Sequence, residues 1–204
     1  MTLIEGKRRT RLAPQTRRTQ ILDDAARLIL REGLTAVSME RMGREAGISK
    51  GLVYKYFPGR EALLGALLQR ELSELKARGM EAALRAEAFA DLISQTTRIY
   101  LEHTRDRGAL MGALMGDPSV VQLMETENRT DHEQTVRYFV RAARREYGLT
   151  LGQAIAASDM LMAVTGQAGI RVSQGSMPIE TAVAMCVQLI TGALANLTAG
   201  ADLV

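Results

Sequence analysis

The sequence of 204 residues contains no tryptophan and few other aromatic residues, five tyrosines and three phenylalanines. Aromatic residues favour β-strands, and no segment alternates apolar and polar residues with the period of two that indicates a half-buried strand. Leucine, alanine, methionine, arginine and glutamate, which favour helices, are abundant instead. The composition therefore predicts an all-α fold.

Cysteine and histidine are scarce as well. The single cysteine, Cys186, cannot form an intramolecular disulfide, which suits a reducing cytoplasm, and its apolar neighbours favour a buried structural thiol. Together with His103 and His132 it shows none of the spacings of metal ligands. The sequence also lacks a phosphate-binding glycine loop and a nucleophile elbow. We therefore expect no enzyme and no bound metal or cofactor.

One uncharged segment, residues 181–201, is long enough to span a bilayer. Its threonines and glycines, together with Gln188 and Asn196, dilute its hydrophobicity. We therefore favour a helix that protein buries on both sides, and expect no membrane partner. A membrane-anchored protein is the alternative.

The net charge of +3 is unevenly distributed. Residues 1–60 contain 13 Lys/Arg and 6 Asp/Glu, whereas residues 61–204 contain 13 and 17. A basic front on an acidic body suggests that the front meets a polyanion. We therefore expect a first domain at residues 1–60, with a basic N-terminal arm, and a larger second domain at residues 61–204.

The first domain has the pattern of three helices. The first is predicted at residues 15–32. Ser38 and Ser49 are suited to cap the second and third, because a serine hydroxyl accepts hydrogen bonds from exposed N–H groups at a helix start. Pro58 ends the third. The glycine-containing turn between the second and third helices is typical of a helix-turn-helix. A small bundle without a DNA role is the alternative, but it leaves the basic surface unexplained.

The third predicted helix lies in the stretch AGISKGLVYKYFPGREAL, residues 46–63. Its lysines supply positive charge, and its tyrosines supply hydroxyl donors suited to phosphate oxygens. Val53 and Phe57 are expected to anchor the helix inward. The polar side chains expected to meet DNA are Lys50, Tyr54, Lys55, Tyr56 and Arg60.

Residues 33–68, GLTAVSMERMGREAGISKGLVYKYFPGREALLGALL, resemble the TetR/AcrR family of transcriptional regulators, and the upstream helix RRTQILDDAARLILREG fits too. The turn, the recognition helix and the following helix match in order without a gap. The resemblance implies an all-helical homodimer. In this family an N-terminal helix-turn-helix binds a palindromic operator, and a C-terminal domain holds a small ligand that releases the DNA. It also implies that the following residues face DNA: Ser38, Ser49, Lys50, Gly51, Leu52, Tyr54, Lys55, Tyr56 and Arg60.

The same resemblance suggests individual roles. Lys50, Leu52 and Lys55 are the expected base readers, whereas Ser38, Tyr54, Tyr56 and Arg60 are expected to hold phosphates. Three positions depart from the family pattern, in which alanine is common at Gly43, a small or hydroxyl residue at Leu52 and histidine at Lys55, so no operator sequence can be borrowed. The arm residues Lys7, Arg8, Arg9 and Arg11 either add phosphate contacts or form only a solvated tail.

The second domain is predicted to be helical throughout, with helices at residues 60–80, 82–104, 108–116, 119–147, 150–174 and 178–199. The last helix is apolar on two sides, so one side is expected to pack on its own core and the other on a second subunit. The residues expected at a four-helix dimer interface are Ala156, Ala163, Ile179, Val183, Cys186, Ile190 and Leu197.

A ligand pocket in the second domain needs apolar walls with a few polar groups, and methionines adapt to varied apolar shapes. The candidates on the central helices are Tyr100, His103, Met111, Met115, Met124, Tyr138 and Phe139. Plain core packing is the alternative for each of them.

We interpret the chain as a ligand-responsive, DNA-binding transcriptional regulator. We expect a repressor that binds a palindromic double-stranded operator as a cytoplasmic homodimer and is released by a small apolar or amphipathic effector. A helical adaptor that binds protein partners without specific DNA binding is the alternative.

Overall fold

The computed structural model describes the backbone of residues 13–127 and 129–199, and the side chains of these residues outside 123–134 and 198–199. Within these ranges the secondary structure consists of helices, with no strand. The all-α prediction is therefore confirmed. The chain divides into two compact units, Met1–Leu67 and Leu68–Val204. The sequence predicted a boundary after residue 60. The two units instead divide after Leu67, within a helix that begins at Arg60 and contributes residues to both.

The first unit contains α1 (Pro14–Glu32), a short 3-10 helix (Leu34–Ala36), α2 (Met39–Glu45), α3 (Lys50–Tyr56) and the first residues of α4 (Arg60–Arg85). Pro14 suits the first turn of α1, because its missing N–H would have no partner there. Gly33 follows α1 with φ of +85°, a conformation that favours glycine. The core of this unit is formed by side chains that are almost completely buried: Ile21, Leu22, Leu28, Met42, Val53, Phe57, Leu63 and Leu64.

The second unit contains the rest of α4, followed by α5 (Phe89–Met115), α6 (Pro118–Glu127), α7 (Arg129–Tyr147), α8 (Leu151–Ser173) and α9 (Ile179–Ala199). Helix α5 lies at its centre, because it packs against both α8 and α9. A capping box closes the start of α8, where Thr150 and Gln153 exchange hydrogen bonds with each other's backbone N–H groups. The core joins Leu101 of α5, Val172 of α8 and Cys186 of α9.

The predicted helix bounds of the second unit were wrong in two places. Helix α4 continues past the expected end at residue 80 to Arg85. The single helix expected at residues 119–147 corresponds to α6 and α7, with residue 128 between them outside the described residues.

The other wrong bound lies within α5. The charged residues 105–107 were expected to separate two helices, but α5 continues through them to Met115. Arg107 faces α4, where it donates two hydrogen bonds to the buried carboxylate of Glu71. A Cβ at Gly108 would lie 3.9 Å from Cβ of Ser173, which is ordinary van der Waals contact, so α8 packs next to this segment. Tertiary contacts therefore keep this segment helical.

Helix α9 contains most of the uncharged segment, for which burial by protein on both sides was expected and a membrane span was the alternative. Among the described residues, Ile179–Leu197 is the one helix long and apolar enough to cross a membrane, with a mean hydropathy of 1.4. One of its faces packs in the core through Ala182, Cys186 and Leu194. The opposite face is exposed in the single chain. Protein therefore covers one of the two sides that were expected to be buried.

Candidate nucleic-acid interface and internal cavity

The turn between α2 and α3 is held by its backbone and by a serine cap. The N–H of Ile48 donates to the carbonyl oxygen of Gly43 at 2.9 Å. Ser49 Oγ accepts a hydrogen bond from the N–H of Leu52 at 3.2 Å, and Ser38 Oγ accepts one from Arg41 at 3.1 Å. Both predicted serine caps are confirmed. They fix where α2 and α3 begin.

Helix α3 has an inward and an outward side. Val53 and the following Phe57 are buried in the first unit, as expected from the sequence. Lys50, Tyr54 and Lys55 are exposed, with Lys50 Nζ 5.9 Å from the centre of the Tyr54 ring. The buried pair anchors the helix, which leaves two lysines and a tyrosine on one solvent-facing surface.

The other predicted DNA-facing residues differ in how far they reach solvent. Ser38, Ser49 and Gly51 are exposed, whereas Leu52 and Tyr56 are half-buried. The guanidinium of Arg60 is held within the unit. Its Nε donates to the carbonyl oxygen of Val37 at 3.1 Å and its Nη2 to that of Leu34 at 3.2 Å. Arg60 therefore stabilises the segment that leads into α2, a role that sequence reasoning missed.

An ion-pair network that sequence reasoning also missed joins α1 to α2. Arg41 donates to Glu45 at 2.8 Å and to Glu32 at 2.9 Å, and Arg31 reaches Glu45 at 3.2 Å. Hydrogen bonds from Arg41 and Arg31 lower the pKa of the Glu45 carboxyl. Exposed pairs of this kind contribute little one by one. The network links the end of α1, at Arg31 and Glu32, to α2 at Arg41 and Glu45.

The second unit contains a partly open cavity of about 500 Å³. That volume lies within the range of small-molecule sites, roughly 300–1,000 Å³. Its walls come from α4, α5, α7, α8 and α9, and are mainly apolar. Three of the predicted ligand contacts line it: Tyr100, Tyr138 and Phe139. Met111 and Met115 of α5 do not line it, and Met124 lies outside the described side chains.

His103 does not line this cavity either; it is buried beside a polar cluster between α4 and α5. The cluster centres on the buried Glu71, which accepts hydrogen bonds from Arg107 at 2.8 and 2.9 Å and from Arg70 at 3.1 Å. Burial lowers the pKa of His103, partly opposed by the negative charge of Glu71. The prediction of a ligand contact at His103 is therefore replaced by a packing role.

Most of the first unit, including the turn between α2 and α3, is similar to a known protein family. Residues 21–67 match the description "Bacterial regulatory proteins, tetR family". This segment of the chain is therefore similar to the tetR family. The matched residues run from within α1 to the end of the first unit, so they include both helices of the helix-turn-helix. A family of regulatory proteins also agrees with the expectation that the chain is no enzyme.

Curated relatives of this chain match part of its length. It is 34% identical over 88 residues to the HTH-type transcriptional repressor KstR of Rhodococcus jostii, which covers 42% of either chain. It is 31% identical over 107 residues to the HTH-type transcriptional activator FasR of Mycolicibacterium smegmatis, over 47% of this chain and 48% of that protein. The chain thus spans less than half the length of these relatives.

The similarity of fold to a solved structure extends over nearly the whole chain. A crystal structure of a putative transcriptional regulator from Pseudomonas aeruginosa superposes with a TM-score of 0.77 at 17% identity. The superposition covers 95% of this chain and 97% of that one. Both units therefore share a known fold.

The predicted dimer residues divide into two groups. Val183, Cys186 and Ile190 are buried in the chain's own core, so a partner cannot reach them. Burial also raises the pKa of the Cys186 thiol, as for a structural cysteine. Ala156 and Ala163 are exposed, and Ile179 and Leu197 are half-buried. The large apolar side chains that α8 and α9 expose are different ones: Leu151, Ile155, Met160, Met162, Ile170, Met185 and Leu189.

Proposed function

We propose that this protein is a ligand-responsive, DNA-binding transcriptional repressor of the cytoplasm. The observation that carries the proposal is the exposed side of α3, with Lys50, Tyr54 and Lys55 on a helix anchored by buried side chains. A helix-turn-helix reads DNA by inserting its second helix in the major groove. The similarity to KstR, which is named a repressor, supports repression of transcription. The similarity to FasR, which is named an activator, represents the alternative, activation of transcription.

Within this proposal the residues of α3 make two kinds of contact with DNA, to base edges and to phosphates. Lys50 and Lys55, with Leu52, read base edges, because long donors and apolar groups reach the floor of the major groove. Tyr54, Tyr56, Ser49 and the Gly51 backbone approach phosphates, which fix the register of a protein on DNA. Ser38 adds a phosphate contact near the start of α2. Arg60 contributes by holding the segment before α2.

Two copies of the chain are required to read a palindrome. We assign the interface to the exposed apolar sides of α8 and α9, where Met160 and Leu189 are 74% and 53% exposed. An apolar face of this kind on a soluble helix marks an interaction surface. A two-fold axis pairs the same face of both subunits, and sets the two α3 helices about one duplex turn apart, roughly 34–36 Å.

The cavity provides the effector site in this proposal. Its apolar walls suit a small apolar or amphipathic molecule. Helix α4 lines it through Leu75 and Gly79, and the same helix begins in the first unit at Arg60. A ligand that displaces α4 would change the separation of the two α3 helices and release the operator, which is a coupling between two sites through one element.

A gel-shift assay tests this function. The DNA that flanks the protein's own gene, at physiological salt, should give one complex with two chains per duplex. Shuffled DNA of the same composition is the control, because charge attraction alone binds both equally. Equal binding to the two duplexes would contradict the proposal and favour a helical adaptor, for which the exposed apolar sides of α8 and α9 would be the docking surface.

A further inference from the structure

The hydroxyl groups that line the cavity are of two kinds. In the first kind the hydrogen is already used within the chain. Thr96 Oγ1 donates to the carbonyl oxygen of Leu92 at 2.7 Å, and the Tyr138 hydroxyl donates to that of Ala83 at 2.8 Å. These two groups have no donor left for a ligand.

The second kind, without such a bond among the described residues, includes Ser73 of α4 and Ser158 of α8; its two members on α5 are Thr97 and Tyr100. They lie one turn apart on α5 and both line the cavity. Side chains three residues apart on a helix share a face, with Cβ atoms about 5–6 Å from each other. Thr97 is 4% exposed, and within the part of the chain that the structure describes neither hydroxyl has a hydrogen-bond partner. Neither oxygen is among the buried side-chain atoms that lack a partner, so both hydroxyls are open to the cavity and can bond a polar atom of a ligand.

The position of Tyr100 depends on a glycine of the neighbouring helix. A Cβ added at Gly169 of α8 would lie 2.9 Å from Cε1 and 3.1 Å from the hydroxyl oxygen of Tyr100. Any larger residue would therefore push the ring away. Because Gly169 has no side chain, the ring rests against α8 while its hydroxyl stays at the cavity wall.

We propose that the cavity selects an apolar molecule with one carbonyl oxygen, held by the hydroxyls of Thr97 and Tyr100. The inference rests on the proposed function, in which this cavity is the effector site. A carbonyl oxygen accepts two hydrogen bonds and brings no hydrogen that needs an acceptor. The surrounding walls, with Phe89, Ile93 and Leu161, suit an apolar frame. Lys76 also lines the cavity, but it already has an interaction partner within the chain. The neutral hydroxyls therefore determine that the ligand is an uncharged carbonyl compound.

Isothermal titration of the full chain with benzophenone and with diphenylmethane tests this. The two probes share a frame and differ in the carbonyl oxygen. The wild type should bind benzophenone about 10-fold more tightly, which corresponds to about 1.4 kcal/mol. Thr97→Val and Tyr100→Phe should each reduce that ratio, and the double variant should bind both probes equally. Gly169→Ala should reduce it like Tyr100→Phe.

Thr96→Val is the matched control, because it removes a neighbouring hydroxyl that also lines the cavity but is already bonded. It should leave the ratio unchanged. Equal affinities in the wild type, no binding of either probe, or a ratio that Thr96→Val lowers as much as Thr97→Val would each overturn the proposal. Titration measures binding without DNA. A protein that prefers benzophenone but keeps its operator would therefore contradict the effector role of the cavity, and not its ligand class.

Discussion

Replacing Arg107 by methionine should destabilise the second unit more than replacing an exposed charged residue does. Glu71 is 0% exposed, and Arg107 supplies two of its hydrogen bonds, at 2.8 and 2.9 Å. Removing one partner of a buried ion pair costs about 3–5 kcal/mol. Arg70 still donates to Glu71 in the variant, so we expect about 2–3 kcal/mol. For a chain of this size each kcal/mol lowers the Tm by about 2–4 °C, which gives a fall of about 4–12 °C.

Thermal unfolding followed by circular dichroism at pH 7 measures this loss. Arg105→Met is the matched control, because Arg105 is exposed and pairs with the adjacent Asp106. It should leave the Tm nearly unchanged. Adding Glu71→Gln to Arg107→Met removes the unpaired charge and should restore part of the stability. Equal midpoints for the two methionine variants, or no recovery in the double variant, would refute the reasoning.

Three further predictions concern other parts of the chain. Burial lowers the pKa of His103, so the unfolded chain takes up a proton near pH 6.5 that the folded chain does not. The free energy of unfolding should therefore fall below about pH 6.5, and His103→Leu should flatten that decline in urea titrations at several pH values. Met185→Asp with Leu189→Asp should give a monomer by analytical ultracentrifugation, while circular dichroism stays unchanged; a remaining dimer would move the interface elsewhere. Gly43→Ala should lower the Tm despite its better helix propensity, because the new Cβ would lie 3.0 Å from the Ile48 carbonyl oxygen; a raised Tm would contradict this.

The helix-turn-helix could be predicted from the sequence because its signals are local. Ser38 and Ser49 mark helix starts, Pro58 follows a helix end, and all three act within a few residues along the chain. The inward positions Val53 and Phe57 follow from one helical period. Where a structure depends on such short-range chemistry, a single sequence contains enough information.

The second unit could be predicted only in outline, because its decisive contacts are distant in sequence. Arg107 meets Glu71 from another helix, and nothing near residue 107 indicates that its side chain is engaged rather than solvated. Helix α9 has two apolar stripes, so the sequence could not tell that Cys186 faces the core while Leu189 faces outward. The same limit applies to the cavity, where Gly169 matters only through a tyrosine on α5.

Fluorescence anisotropy with a labelled duplex from the DNA that flanks the gene tests the central claim most directly. Lys50→Ala removes a charge from the exposed side of α3, and Arg105→Ala removes one from the second unit as the matched control. The account predicts that Lys50→Ala weakens binding about 5- to 150-fold, since a base or phosphate contact is worth roughly 1–3 kcal/mol, while Arg105→Ala leaves the affinity unchanged. Equal affinities of the two variants would contradict the claim that α3 contacts DNA.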